Sequence, residues 1–185
     1  MKYLIFLIFL LTSCSNTEKE YLYLNTIAIS YDNEFNLMIM KFNKDKSIIA
    51  SSKGKTLKDA YSDLDSKIEI SLALNYLSNV IIQYDSINEV IPELLKFITN
   101  NQETSLNFYV YTAYDNKEVL DVQGIDPISN TSFHTSPRKC DNIINRKYLD
   151  FVIDYKDNGI INLPLLEIAN DYSKKSLYSN KMIRI

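Results

Sequence analysis

Cys14 is the residue whose type and setting promise covalent chemistry. It follows Leu11-Thr12-Ser13, and residues 3 to 11 (YLIFLIFLL) form an unbroken apolar run behind a single Lys2. That run is far shorter than the ~20 residues a helix needs to cross a bilayer. A basic start, a short apolar core and small residues ahead of a cut point mark a secretory signal. A Cys directly after that point has the form of a bacterial lipobox, whose sulfur takes a diacylglyceryl group and which becomes the new N-terminus after cleavage. The bland alternative is an ordinary signal peptide with a Cys there by chance. The lipobox divides the chain into a signal peptide (1–13), a lipidated Cys with a polar tether (14–20, CSNTEKE) and a single domain (21–185). Membrane lipid is then a partner through Cys14, on the outer face of the cytoplasmic membrane.

Other residues that could do chemistry are sparse. With Cys14 lipidated, Cys140 has no partner, so neither a disulfide framework nor a Cys-based metal site is expected. His134 is the single His, which excludes multi-His zinc sites. A nucleophile–His pair would have to run through it, yet it lies in the polar stretch SNTSFHTSP. Gly54-Lys55-Thr56 ahead of a helix has the end of a phosphate-binding loop, but Ile49 stands where that loop needs its first Gly. A strand-to-helix turn with a helix cap explains the same residues.

The carboxylate pairs are no more persuasive. Asp63 and Asp65 are two apart and diverge on a helix. Pro92 between Glu89 and Glu93 leaves their register open. Neither pair has an apolar pocket that would raise a pKa for acid chemistry. Asp154, Asp157 and Asn158-Gly159 lack the alternating oxygen spacing of a calcium loop. Asn130-Thr131-Ser132 is a formal glycosylation sequon, read as chance. The expectation is therefore no enzyme, no catalytic residues, no cofactor and no metal.

Composition sets the class. A chain of 185 residues with 46% hydrophobic and 23% charged residues suits one domain with a sizeable core. A formal charge of −3 and no basic run argue against nucleic acid as a partner. The 14 Tyr and only 3 Gly have the look of an AT-rich coding bias.

The elements read as α/β, a central mixed sheet covered by helices. Residues 21 to 31 (YLYLNTIAISY) and 35 to 42 (FNLMIMKF) predict a hairpin across Asp32-Asn33-Glu34. Both strands are apolar on both faces, as in a sheet covered on each side. A weaker strand follows at 47 to 51. Thr56-Leu57-Lys58-Asp59 resembles a capping box, with Asp in place of Glu. Leu57, Ala60, Tyr61, Leu64, Ile68 and Leu72 continue it as one helical stripe. A strand is expected at 77 to 83. Pro92 then predicts a helical turn over 87 to 91 and a new helix beginning at Pro92. Residues 106 to 114 (LNFYVYTAY) predict a strand and 117 to 122 a helical turn. Helical patterns follow at 138 to 145 and 148 to 155, then a turn at Asp157-Asn158-Gly159. Residues 161 to 169 look extended, with Pro164 marking an edge or bend.

The order of these parts carries a resemblance. After the lipobox come Ala28-Ile29-Ser30-Tyr31-Asp32 closing a strand, and Gly54-Lys55-Thr56-Leu57-Lys58-Asp59-Ala60 opening a helix. Asn79-Val80-Ile81-Ile82 and Asn107-Phe108-Tyr109-Val110-Tyr111 are strands on either side of Pro92-Glu93-Leu94-Leu95-Lys96-Phe97. Leu163-Pro164-Leu165-Leu166 lies near the domain end. This order resembles the N-terminal domain of the Ger(x)C family, the lipoprotein C subunits of spore germinant receptors, whose members usually continue into further domains. The resemblance implies a non-enzymatic subunit at the outer face of the inner spore membrane, working by protein contact in nutrient-triggered germination. Its implied partners are polytopic germinant-receptor membrane subunits of the A and B type. The alternative left open is a ligand-binding or sensor surface lipoprotein unrelated to germination.

Overall fold

The computed structural model describes residues 21–43, 46–68, 70–124, 146–171 and 174–185. In chain order the elements are β1 (Tyr21–Tyr23), β2 (Thr26–Asp32), β3 (Glu34–Asn43), β4 (Lys46–Gly54), α1 (Leu57–Lys67), β5 (Ser71–Ala73) and β6 (Asn79–Gln83). A 3-10 turn (Tyr84–Ser86) leads into α2 (Ile87–Asn100). Then come β7 (Tyr109–Ala113), α3 (Asn116–Gly124), α4 (Tyr148–Asn158), β8 (Asn162–Asp171) and β9 (Lys174–Arg184).

Seven strands form a mixed sheet in the order β4-β3-β2-β6-β7-β8-β9. The central four, β2, β6, β7 and β8, are parallel. Antiparallel β3 and β4 flank them on one side, and antiparallel β9 closes the other. This is the α/β fold expected from the sequence. The parallel strands are near-continuous apolar runs because both faces are covered. Alternate residues feed two cores, following the strand period of two. Ile27, Ile29, Val80, Ile82 and Val110 pack with Leu57 and Leu64 of α1, Val90 and Leu94 of α2 and Phe151 of α4. Ala28, Ile81, Tyr111 and Ala113 face the other way, against Val119, Leu120 and Val122 of α3.

Pro92 does not divide the helix. α2 runs unbroken from Ile87 to Asn100 with Pro92 inside it. The expectation of two helices weighed one lost N–H and a ring clash. It underweighed a buried face made of Ile87, Val90, Ile91, Leu94, Phe97 and Ile98. Asn88, whose carbonyl would have received the missing N–H, is exposed, as is Pro92.

Other boundaries moved too, with β4 running over Lys46–Gly54, β6 over Asn79–Gln83 and β7 over Tyr109–Ala113. The run 21 to 31 breaks at Asn25, whose carbonyl accepts from Ser78 N (2.8 Å) and Asn79 N (3.0 Å). The first piece, β1, pairs in parallel with β5 as a separate two-stranded ribbon. α1 ends at Lys67, and Leu72 belongs to β5, not to the helical stripe. β9 was not anticipated, and it pairs along β8 from Asn162↔Arg184 to Asp171↔Lys174. Pro164 is tolerated in β8 because the described pairing with β7 begins only at Leu165.

Tyr61 ties α1 to the ribbon. Its hydroxyl donates to the Leu72 carbonyl at 2.9 Å, and its ring packs 5.6 Å from Phe97. Burial, then the nearby Asp65 and Glu103 charges, push its phenol from 10.0 up to about 12. The folded state therefore keeps this proton after the unfolded chain has released it. The associated stability is full below pH 10.0 and is lost as pH rises through about 12. Urea unfolding across that window should show falling stability, with a shallower fall in Tyr61→Phe. That variant should also lose about 1 kcal/mol at neutral pH with its hydrogen bond. Tyr111 and Tyr148, both pushed up by burial, account for slope that remains.

Candidate functional site: the two ends of the sheet

Four parallel strands place their carboxyl ends at one side of the molecule, the usual place for ligands in open α/β sheets. The polar residues there are largely spent on the protein's own backbone. Buried Ser86 accepts from Tyr31 N at 2.9 Å and donates to the Tyr31 carbonyl at 3.2 Å, fastening the end of β2 to the turn after β6. Thr112 donates to the Ile82 carbonyl at 2.8 Å. Buried Asn116, at the start of α3, donates to the Ile29 carbonyl at 2.9 Å and pins that helix to β2.

Beside these lies an open cleft of about 340 Å³, lined by Tyr114, Asp115, Glu118, Val119, Leu166, Glu167 and Ile168. Its volume is at the small end of ligand sites. Asp115 caps α3, accepting from Glu118 N at 3.0 Å. Tyr114 packs on Tyr84 with ring centres 5.1 Å apart. Asp115, Glu118 and Glu167 supply its carboxylates, and Val119, Leu166 and Ile168 its apolar lining. Sequence reading missed this cleft, because Asp115 and Glu118 are far from Glu167 along the chain and meet it only through the β7–β8 pairing.

The pairs singled out from sequence resolve into structural roles. Gly54-Lys55-Thr56 is a strand-to-helix turn. Thr56 accepts from Asp59 N at 3.1 Å and Asp59 accepts from Thr56 N at 3.2 Å, the reciprocal capping box. Lys55 is exposed. Asp63 pairs with Lys67, while Asp65 accepts from Leu72 N at 2.7 Å. Glu89 and Glu93 share one continuous helix, and Glu93 pairs with Lys96 at 3.7 Å. Asp154 pairs with Arg146. Gly159, with φ of 64°, ends α4 and donates to the Tyr155 carbonyl at 3.0 Å. Among the described residues, no group of three or more His, Cys, Asp or Glu converges as metal ligands. Cys14, Asn130, His134 and Cys140 lie outside the described residues. No described helix is long and apolar enough to cross a membrane.

The opposite, amino end carries an aromatic cluster. Tyr21 and Tyr23 stack with centroids 6.4 Å apart, and Tyr76 meets Tyr23 edge-on at 4.9 Å. All three are about half exposed or more. The alternation Tyr21-Leu22-Tyr23 in a charge-free stretch was the signal available for it.

A parallel sheet with antiparallel flanks, its strand ends fastened by the protein's own polar contacts, defines a single α/β domain. The family follows from comparison with known proteins. The model of the spore germination protein N-terminal domain matches residues 19–168, so the chain belongs to that family, the Ger(x)C N-terminal domain, and has a germination-related role. No curated protein and no solved structure matches it.

Proposed function

We propose that this chain is a membrane-anchored lipoprotein subunit of a germinant-receptor-like complex and acts by protein contact in nutrient-triggered spore germination. The observation that carries the proposal is the family match over residues 19–168, which starts just after the lipobox Cys14. Acyl chains on Cys14 hold the domain at the outer face of the cytoplasmic membrane, which becomes the inner spore membrane. There it meets polytopic A- and B-type subunits of the receptor.

Deletion of the gene in its spore-forming host tests this. Spores of the deletion strain should respond slowly or not at all to a nutrient that triggers the parent, and a reintroduced copy should restore the response. Normal germination of the deletion strain in every nutrient defeats the proposal. Adjacent genes for two multi-spanning membrane proteins would add support for the partners.

The cleft beside Tyr114 and Glu167 favours a second function, that of a ligand-binding or sensor surface lipoprotein. Its volume of about 340 Å³ allows a small ligand. This sensor function would operate without receptor subunits.

A further inference from the structure

We infer that Tyr21, Tyr23 and Tyr76 form a lipid-contacting patch that seats the amino end of the sheet in the headgroup region of the bilayer. The inference rests on the anchoring of Cys14 proposed above and adds an orientation to it.

The patch follows from strand geometry. β1 alternates Tyr21 out, Leu22 in and Tyr23 out, with Leu22 packed against the main core. Pairing of β1 with β5 sets Tyr23 opposite Ala73, and the chain beyond β5 brings Tyr76 against the Tyr23 ring. Tyr21, Tyr23 and Tyr76 are 48%, 55% and 63% exposed, a large aromatic surface for water to cover. Tyr carries an apolar ring and a polar hydroxyl, which suits the boundary between acyl chains and water.

Charge and reach identify the occupant. Residues 21 to 31 and 70 to 84, which hold all three rings, contain no Asp, Glu, Lys or Arg, although the chain as a whole carries −3. The ring-bearing segments bring no charge themselves, and Asp65 beside them is held by the Leu72 N–H at 2.7 Å. Seven residue steps separate Cys14 from Tyr21. At roughly 3.4 Å each they span about 24 Å at full stretch, and less in a coiled tether. The patch therefore begins where the anchor ends. Tethering also makes the contact intramolecular, at an effective concentration of order mM, so a weak interfacial affinity is enough.

The consequence is a fixed face. Both Tyr-bearing segments precede parallel strands, β2 and β6, so the patch lies at their amino ends. The carboxyl ends, with the acidic cleft and Tyr114, point away from the lipid toward solvent or partner domains.

The chain has no Trp, which makes a single introduced indole a clean reporter. Full-length lipidated protein carrying Tyr76→Trp is reconstituted into vesicles of phosphatidylethanolamine and phosphatidylglycerol, with or without brominated acyl chains. Tyr114→Trp, at the opposite end, is the comparison. Circular dichroism and vesicle flotation are read alongside. The expected result is that both variants fold and float. Indole emission from the Tyr76→Trp chain shifts to shorter wavelength and is quenched by bromine, while emission from the Tyr114→Trp chain is unchanged. If the Tyr76→Trp protein floats but its emission is neither shifted nor quenched, the orientation is wrong while the anchor stands. If the protein does not float, the anchor has failed and the orientation falls with it. Quenching that requires native membranes holding polytopic subunits, and is absent in protein-free vesicles, overturns the lipid contact in favour of a protein one.

Discussion

A chain carrying Gly54→Ala is expected to lose about 3 kcal/mol of stability, the upper end for overpacking a well-filled site. Lys55→Ala, one residue on, should stay within about 0.5 kcal/mol of the parent, as surface changes usually do. The reason is a close approach of backbone to backbone. A Cβ on residue 54 would lie 2.4 Å from the Ala60 nitrogen and 2.8 Å from the Asp59 carbonyl carbon. Neither atom can easily retreat. Ala60 is fully buried, its N–H donates to the Thr56 carbonyl at 3.1 Å, and its own carbonyl accepts from the buried Ser52 hydroxyl at 2.5 Å. The first turn of α1 is thus clamped onto the end of β4, and only Gly leaves room for it. Urea midpoints of the two variants measure the difference. The same pair separates packing from phosphate binding. A phosphate loop would need Lys55 and would lose nucleotide affinity in Lys55→Ala, whereas a packing glycine makes Gly54 alone matter. A Gly54→Ala chain as stable as the parent would disprove the close approach.

That turn was also among the most legible parts of the sequence. Thr56 and Asp59 stand three apart ahead of an apolar stripe, and the capping box forms as its spacing predicts. Strands buried on both faces were equally readable, since Ile27 to Ile29 and Val80 to Ile82 leave no polar position for solvent. Elements whose stability comes from distant partners were hidden. β9 reads as polar and charged through Lys174, Lys175 and Lys181, and it becomes a strand because β8 offers it an edge. Pro92 sits inside a helix because six buried side chains outweigh one missing hydrogen bond. The break between β1 and β2 is made by the Asn25 carbonyl reaching Ser78 and Asn79, more than fifty residues away. The acidic cleft and the Tyr21–Tyr23–Tyr76 cluster share that origin, because each joins side chains brought together only by strand pairing. The anchor proposed at Cys14 rests on the opposite kind of signal. The lipobox is a local signal that depends on consecutive residues and needs no fold.

Cys14→Ala should therefore have the largest effect on function, releasing the chain from the membrane fraction and abolishing its contribution to nutrient-triggered germination. Residues 3 to 11 are too short to span a bilayer, and no described helix can do so. A chain with a formal charge of −3 gains nothing from anionic headgroups. On the lipoprotein proposal, acyl chains hold it, at about 0.8 kcal/mol for each buried CH₂, or on the order of 10 kcal/mol for one long chain. One such chain holds reversibly and two or more hold firmly, so losing the sulfur that carries the diacylglyceryl group removes most of the attachment at once. The tyrosine patch cannot replace it, because without the tether its contact is no longer intramolecular. The parent should fractionate with membranes and yield an N-terminal peptide that begins at a lipid-modified Cys14. The variant should appear in the soluble fraction or be degraded, with its spores germinating like the deletion strain. Cys140→Ala, which leaves the anchor intact, should fractionate and germinate like the parent. Membrane retention of Cys14→Ala at the parental level would mean that something other than Cys14 holds the domain at the bilayer, and the lipoprotein assignment would fall.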